Sequence, residues 1–261
     1  TFASGLVARY DAVIIAEGVG SSTRELVFPQ QNQPRWMDLA IAYFTIPRTA
    51  GDDRLWRWYN ASAGRSVQLR PDRHGTTRAM LALQQPPGGE HRWDAARQKH
   101  WLRERFAGAG WEAPRVLSGM DDTDDFYFDV LRQVRLASWS TGRVVLLGDA
   151  AWCVTPIAGM GTTLAITGAY VLAGELSRAG HPADAFGAYE RVMRPVVQSS
   201  QGIPKIVPRL MNPHSRLGVR VLHGVLRVAT SRAVRTVAGR LPKRRKGRTW
   251  LPDYETPRAV L

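Results

Sequence analysis

The chain is organised around residues 142–163, which read Gly142-Arg-Val-Val-Leu-Leu-Gly-Asp149-Ala-Ala-Trp-Cys-Val-Thr-Pro156-Ile-Ala-Gly159-Met-Gly161-Thr-Thr. Residues 144–147 form a short apolar run rich in β-branched side chains, which predicts a buried strand. From Thr162 onward the spacing becomes helical, and one face of the predicted helix can collect Leu164, Ala165, Ala169, Leu172, Ala173 and Leu176. The stretch therefore predicts a strand, a loop that contains a carboxylate, and a helix.

The loop between this strand and helix has the composition of a ligand-binding bend. Gly148 and Asp149 lie where the strand must turn, and Pro156 stiffens the loop. Gly159 and Gly161 let the backbone approach a ligand closely. A helix that begins directly after such glycines leaves unpaired N–H groups and the positive end of its dipole at the loop. Together these features predict a ligand clamp.

The same stretch resembles the second flavin motif of the FAD-dependent aromatic hydroxylases, the group A flavoprotein monooxygenases. That motif reads roughly Gly-Arg-Val-x-Leu-x-Gly-Asp-Ala-Ala-His, then Pro, then Gly-x-Gly-x-Asn. The resemblance implies that Asp149, after Gly148, binds the ribityl-side hydroxyls of FAD. It further implies that the loop and the helix start face the isoalloxazine edge, through Pro156, Gly159, Met160, Gly161, Thr162 and Thr163. Three residues depart from the family pattern: Trp152 replaces a His, Thr163 an Asn, and Gly168 an Asp.

A second motif lies near the start of the chain and reads Tyr10-Asp-Ala-Val-Ile-Ile-Ala-Glu17-Gly18-Val-Gly20-Ser-Ser-Thr-Arg24. Its apolar run predicts a strand, but Thr23 occupies the third glycine position of a dinucleotide fingerprint. In the hydroxylase family the corresponding acidic-Gly turn lies near the FAD pyrophosphate and has been linked to NADPH. The resemblance therefore implies cofactor-binding roles for Glu17, Gly18 and Arg24.

The family begins with a βαβ unit that contains Gly-x-Gly-x-x-Gly, and this sequence contains no such motif after an N-terminal strand. We therefore expect the chain to correspond to the later part of the family's length. It would be a fragment, a truncated gene product, or one half of a split protein. In the last case a second chain would supply the missing half.

The expected fold class is α/β with mixed α+β character: a partial three-layer FAD-binding domain plus an antiparallel-sheet substrate domain. Between the motifs, alternating strand formers predict antiparallel strands over 39–46, 55–59, 66–70 and 77–83. The expected domains are a FAD-domain segment at 1–34, the substrate domain at 35–125, a second FAD-domain segment at 126–200, and a basic C-terminal helix and tail at 201–261. Within the second FAD-domain segment we expect a helix from residue 182 that ends at Pro195.

Charge is concentrated in the last segment. The formal net charge is +14, and residues 202–261 contain 14 Lys or Arg against two acids, which leaves only +2 for the rest. A basic amphipathic helix is predicted over 217–241. We expect it to pack on the FAD domain with a solvated arginine face, and weak contact with an anionic membrane surface is the alternative. The charge run at 243–248 lacks interleaved aromatic residues, so nucleic acid is not a favoured partner.

Two further features bear on the compartment. Cys153 is the only cysteine, which excludes an internal disulfide and favours a reducing, cytoplasmic location. Residues 150–174 carry no charge, but Pro156 and the glycines interrupt them, so they do not predict a membrane span.

The resemblance implies an enzyme that uses NADPH or NADH, FAD and O2 to insert one oxygen atom into a small organic substrate, aromatic or polyketide-like. The cofactor supplies this chemistry, so no catalytic side chain is assigned, and the six histidines have no metal-ligand spacing. Three alternatives remain open: an inactive or partner-dependent fragment, a basic surface-binding module, and a flavin reductase or dehydrogenase without oxygenation.

Overall fold

The computed structural model describes residues 1–31, 33–231 and 251–254, and within them the chain divides into two compact units. Unit 1 combines Thr1–Arg35, Arg132–Ile203 and residues 251–254; unit 2 combines Trp36–Leu131 with residues 204–231. The strands are β1 Val13–Ile15, β2 Arg35–Pro47, β3 Arg57–Ala61, β4 Arg65–Pro71, β5 Thr76–Gln84, β6 Tyr127–Gln133, β7 Ser140–Thr141 and β8 Val144–Leu146. The helices are α1 Ser22–Val27, α2 Ala95–Phe106, α3 Ala113–Asp121, α4 Asp149–Trp152, α5 Gly161–Arg178, α6 Pro182–Ser200, α7 Ile206–Met211 and α8 Arg216–Ala229.

Unit 1 is built on a three-stranded sheet in the order β1-β8-β7. β1 and β8 are parallel, with Val13 opposite Val144 and Ile15 opposite Leu146. Parallel neighbours end at the same edge of a sheet, so the two sequence motifs meet there although they are far apart in the chain. The helices α5 and α6 pack together and enclose an apolar core with the sheet.

The predicted apolar face of α5 is correct in part. Leu164 and Leu172 are buried as expected, but Ala169 and Ala173 are exposed. The buried stripe instead includes Gly168, because the indole of Trp152 lies directly against it: a Cβ on Gly168 would come within 2.9 Å of Trp152 Cη2. Sequence periodicity cannot detect this contact, because the stripe is completed by a residue without a side chain.

The predicted end of α6 at Pro195 is also wrong, because the helix continues to Ser200. Proline removes one backbone hydrogen bond and disfavours a helix interior. Here Tyr189, Met193 and Val197 lie on one buried face on both sides of the proline. The packing of that face in the core of unit 1 stabilises the helix across Pro195.

Unit 2 contains a five-stranded sheet in the order β3-β4-β5-β2-β6. The pairs β2·β5, β3·β4 and β4·β5 are antiparallel, and the four predicted strands correspond to β2 through β5, which confirms the antiparallel sheet. The core of the unit includes Phe44 and Leu81 from the sheet, Phe106 from α2 and Met120 from α3. The residues of this core alternate along the strands, and residues of the opposite face, among them Met37, Ile41 and Gln68, are buried as well.

The helix α8 begins at the N-cap Ser215, whose hydroxyl accepts a hydrogen bond from the N–H of Gly218. It groups with unit 2 and contacts β3, so the prediction that it packs on the FAD domain is wrong. Its outer face exposes Leu217, Val221, Val225 and Val228. The part of the predicted helix beyond residue 231 and the charge run at 243–248 lie outside the described residues. None of the described helices is long and apolar enough to cross a membrane.

Candidate functional site

The bend after β8 depends on a glycine. Gly148 has φ 65° and ψ −142°, a conformation that essentially only glycine adopts without strain. Its carbonyl accepts hydrogen bonds from the N–H groups of Ala151 (2.9 Å) and Trp152 (3.1 Å), which starts the short helix α4 directly at Asp149. The reversal places the half-buried carboxylate of Asp149 at the end of the strand rather than along it.

A second bend leads into α5. Residues Pro156–Ala158 form a 3₁₀ turn that ends at Gly159, which has φ 65°. Met160 is the N-cap of α5 and provides no side-chain cap, although the N–H of Leu164 bonds to its carbonyl at 2.9 Å. Within the described part of the chain, the N–H groups of residues 161–163 have no acceptor. They form the positive end of an 18-residue helix and are available to a ligand.

The carboxylate of Asp149 lies close to this helix start. A Cβ placed on Gly161 would be 4.0 Å from Asp149 Oδ1, so the carboxylate lies within van der Waals reach of the first residue of the helix. Donors from the helix and an acceptor from Asp149 therefore face one region. This is the arrangement that the sequence predicted as a ligand clamp.

A cavity of about 640 Å³ opens at this point within unit 1. Its lining comes from the end of β1, the Gly148 bend, the loop before α5 and the first turns of α5. The lining residues are Ala16, Gly18, Leu147, Gly148, Asp149, Thr155, Pro156, Gly159, Gly161, Thr162 and Ala165. Seven of the eleven predicted cofactor-binding residues thus line one cavity, whereas Glu17, Arg24, Met160 and Thr163 do not.

Glu17 caps a helix beside the cavity. Its carboxylate accepts hydrogen bonds from the hydroxyl (2.5 Å) and N–H (3.1 Å) of Thr23 and from the hydroxyl of Ser21 (2.7 Å). These bonds, the one from the Thr23 hydroxyl above all, lower the pKa of the exposed Glu17 carboxyl. The side chain therefore stabilises the first turn of α1, and this turn shapes the wall that Gly18 contributes.

Arg24 lies outside the lining of the cavity and forms hydrogen bonds to the two segments that build its walls. The residue is only 3% exposed, and its guanidinium donates to the carbonyls of Val19 (2.7 Å) and Ala150 (3.0 Å). Burial, followed by the nearby charge of Arg132, lowers the pKa of Arg24. The two carbonyls belong to the turn after β1 and to α4, so the side chain fixes the first motif against the second.

Met160 and Thr163 are exposed at the start of α5, and Met160 is 37% exposed. Their side chains lie outside the lining of the cavity, and their backbones form the first turn of the helix.

Sequence reasoning missed Thr155. This residue is 3% exposed, has φ 71°, and lines the cavity. Its buried hydroxyl has no hydrogen-bond partner among the described residues. Proline at the next position shifts a residue away from helical backbone, but it does not predict a positive φ. A buried hydroxyl normally has a hydrogen-bond partner, so Thr155 can accept a polar partner at the wall of the cavity.

The donor set fits FAD. A carboxylate suits the hydroxyls of a ribityl chain, free N–H groups suit the carbonyl oxygens and ring nitrogens of a flavin, and the Thr155 hydroxyl can complete the set. In agreement, residues 4–200 match the FAD binding domain family. The chain belongs to this family, which confirms the predicted family and FAD as its cofactor.

The relatives include proteins named as flavin-dependent and FAD-dependent monooxygenases. FAD-dependent monooxygenase asL6 of Sarocladium schorii is 33% identical over 266 residues, covering 97% of this chain and 62% of its own length. A flavin-dependent monooxygenase from an unknown prokaryotic organism is 38% identical over 205 residues, covering 77% of this chain and 52% of its own. The crystal structure of tetracycline destructase Tet(55) superposes with a TM-score of 0.72 at 32% identity, over 87% of this chain and 63% of that one. The chain thus spans between half and two thirds of the length of these relatives.

Proposed function

We propose that this chain forms part of an FAD-dependent monooxygenase that uses NADPH or NADH and O2 to insert one oxygen atom into a small organic substrate. The observation that carries the proposal is the approach of the Asp149 carboxylate to the uncapped start of α5 in one cavity. The names of the relatives support the reaction type.

The chain's own residues bind and orient the cofactor. FAD, when bound, supplies the redox chemistry and the reaction with O2. Asp149 accepts hydrogen bonds from the ribityl hydroxyls, and the N–H groups of Gly161 and Thr162 donate to the edge of the ring system. Gly148 and Gly159 let the backbone pass close to the cofactor, and the Thr155 hydroxyl gains its missing partner. Glu17 and Arg24 act indirectly, by fixing the turn that contributes Gly18.

Flavin binding tests this assignment without requiring a substrate. The 261-residue chain is titrated with FAD, and binding is measured by quenching of flavin fluorescence. We expect Asp149→Asn to weaken binding about tenfold or more, because it removes a charged acceptor. Asp11→Asn, which changes an exposed carboxylate of the same unit, is expected to leave it unchanged. Equal affinities for the Asp149 variant and wild type would contradict the proposal.

The oxygenation step needs a separate measurement. With FAD bound, we expect substrate-dependent oxidation of NADPH or NADH and incorporation of one atom from labelled O2 into the product. Flavin reduction without incorporation of the label would instead identify a flavin reductase.

We also propose that full FAD affinity requires a second polypeptide that pairs with β1. Among the described strands β1 has only β8 as a neighbour, and Val13 and Ile14 on it are 40% and 46% exposed. Addition of the separately produced N-terminal βαβ segment of a relative is expected to increase FAD affinity. No change in affinity on addition would argue for binding by this chain alone.

Two further proposals concern where the protein acts. The exposed apolar face of α8 supports weak contact with an anionic membrane surface, which co-flotation with phosphatidylserine vesicles at low salt would test. The single buried Cys153 supports a reducing, cytoplasmic compartment, and fractionation of the native host tests it.

A further inference from the structure

A second cavity, of about 500 Å³, lies entirely within unit 2. Its walls are β3, the turn after β3, the first residue of β4, the glycine-containing loop at 108–110 and one face of α8. Among the described residues no acidic side chain lines it, whereas three arginines and one histidine do: Arg65, Arg216, Arg220 and His223. The lining is therefore strongly positive, and nothing in the FAD site accounts for it.

Two of these arginines have no counter-charge. Arg216 and Arg220 are one turn apart on α8 and face the same cavity. Neither forms an ion pair or a hydrogen bond with any residue that the structure describes. Two like charges at this spacing repel each other and slightly destabilise the helix. A bound anion would remove this repulsion.

Arg65 contributes a cation whose position is fixed by the backbone. Its guanidinium donates to the carbonyls of Ser62 (2.9 Å), Arg105 (3.1 Å) and Ala107 (3.1 Å). Carbonyl acceptors orient the group but leave its full charge uncompensated. The side chain loses little freedom when it meets an anion, which favours binding.

The remaining wall is also fixed. Asn60 is 7% exposed, and its amide donates to the carbonyl of Met211 at 2.9 Å. Its Oδ1 therefore faces His223 Nε2, at 3.4 Å, and this contact holds the imidazole against β3. The hydroxyl of Tyr59 donates to the carbonyl of Ala109 at 3.1 Å and ties the 108–110 loop to the strand.

We propose that this cavity binds a phosphoryl group. Guanidinium groups pair with phosphate oxygens through two parallel charge-assisted hydrogen bonds, and a doubly charged group relieves the repulsion between Arg216 and Arg220 more fully than a carboxylate does. The phosphoryl group can belong to a free phosphate compound or to the 2′-phosphate of NADPH. The site does not depend on the FAD cavity, because every lining residue belongs to unit 2.

The test uses inorganic pyrophosphate as the probe, titrated calorimetrically into the full chain at low ionic strength. We expect saturable binding, and Arg216→Gln/Arg220→Gln is expected to weaken it about tenfold or more. Both side chains are exposed, so unchanged thermal unfolding without probe will show that the variant folds. Arg244→Gln/Arg245→Gln removes the same charge from the basic run of the sequence and serves as the matched control.

The control decides between a built site and general attraction to a basic chain. The site is supported if the Arg244→Gln/Arg245→Gln control binds pyrophosphate within about twofold of wild type and only the Arg216→Gln/Arg220→Gln variant loses affinity. Equal losses in both variants, or no saturable binding by wild type, overturn the proposal. Competition by NADPH but not NADH assigns the site to the 2′-phosphate, whereas competition by orthophosphate but by neither dinucleotide assigns it to a free phosphate compound.

Discussion

The two cavities are built in opposite ways. The cavity of unit 1 is formed by backbone: two glycines at positive φ, the first N–H groups of α5, and a single carboxylate at Asp149. The cavity of unit 2 is lined by basic side chains from the first residue of β4 and from α8. A backbone site requires particular residues at fixed local spacing, so it leaves a motif in the sequence. A side-chain site assembled from distant segments leaves none.

The largest expected effect tests how closely the unit 1 site depends on the packing behind it. Gly168→Asp should lower the free energy of unfolding by about 3 kcal/mol or more, because its Cβ meets Trp152 and its carboxylate is buried. Chemical denaturation measures the loss. Trp152→His/Gly168→Asp, which restores the family's residues at both positions, should lose less than Gly168→Asp alone. Additive losses would show that Trp152 and Gly168 are not a matched pair.

The next effect concerns the bend itself. Gly148→Ala should cost about 1–3 kcal/mol of unfolding free energy and weaken FAD binding, because alanine is strained at φ 65° and ψ −142°. Space is not limiting there, since the new Cβ would lie 3.6 Å from Ala165 Cβ. Gly180→Ala is the control, because a Cβ meets nothing within 4 Å and φ is not positive. Similar losses of stability and FAD affinity in Gly148→Ala and Gly180→Ala would contradict the conclusion that the backbone conformation at Gly148 forms the site.

A third change tests the connection between the two motifs. Arg24→Lys keeps the charge but cannot reach both carbonyls with the same geometry, so it should cost about 1–2 kcal/mol of unfolding free energy. FAD affinity should fall with it, since Gly18 and α4 lose their common anchor. Arg191→Lys, on the exposed side of α6, should change neither quantity. Reduced FAD affinity at unchanged stability would instead favour direct contact of Arg24 with the cofactor.

The smallest effect concerns the pH dependence of the stability of unit 2. Hydrogen bonds, the one from the Thr76 hydroxyl first, lower the pKa of Asp72 to about 2 from an ordinary 3.8. Its contribution to stability is present above about pH 4 and is lost as the pH falls toward 2. In Asp72→Asn, unfolding free energy measured by denaturation should therefore depend less on pH in this window. Asp124→Asn, at an exposed position, should leave the pH dependence of unfolding free energy as in wild type. If this control reduced the pH dependence equally, the effect could not be assigned to Asp72.

Sequence reasoning succeeded where structure is local. The strand, bend and helix of residues 142–163, and the strands β2 to β5, follow from periodicity and glycine positions. It failed where distant packing decides: the buried face of α5, the continuation of α6 through Pro195, and the position of α8 on unit 2. The positive φ of Thr155 and the carbonyl partners of Arg24 are likewise tertiary facts that no local pattern encodes.

The side-by-side placement of β2 and β6 has a practical consequence. Residues 36–131 leave unit 1 through one of these strands and return through the other, and Arg35 donates to Gln133 Oε1 at 3.2 Å where the crossings meet. Residues 36–131 are thus an insertion in unit 1, and residues 204–231 complete unit 2 from further along the chain. A segment grafted here from a relative would therefore have to be exchanged together with α8, because α8 packs against β3 of the inserted sheet.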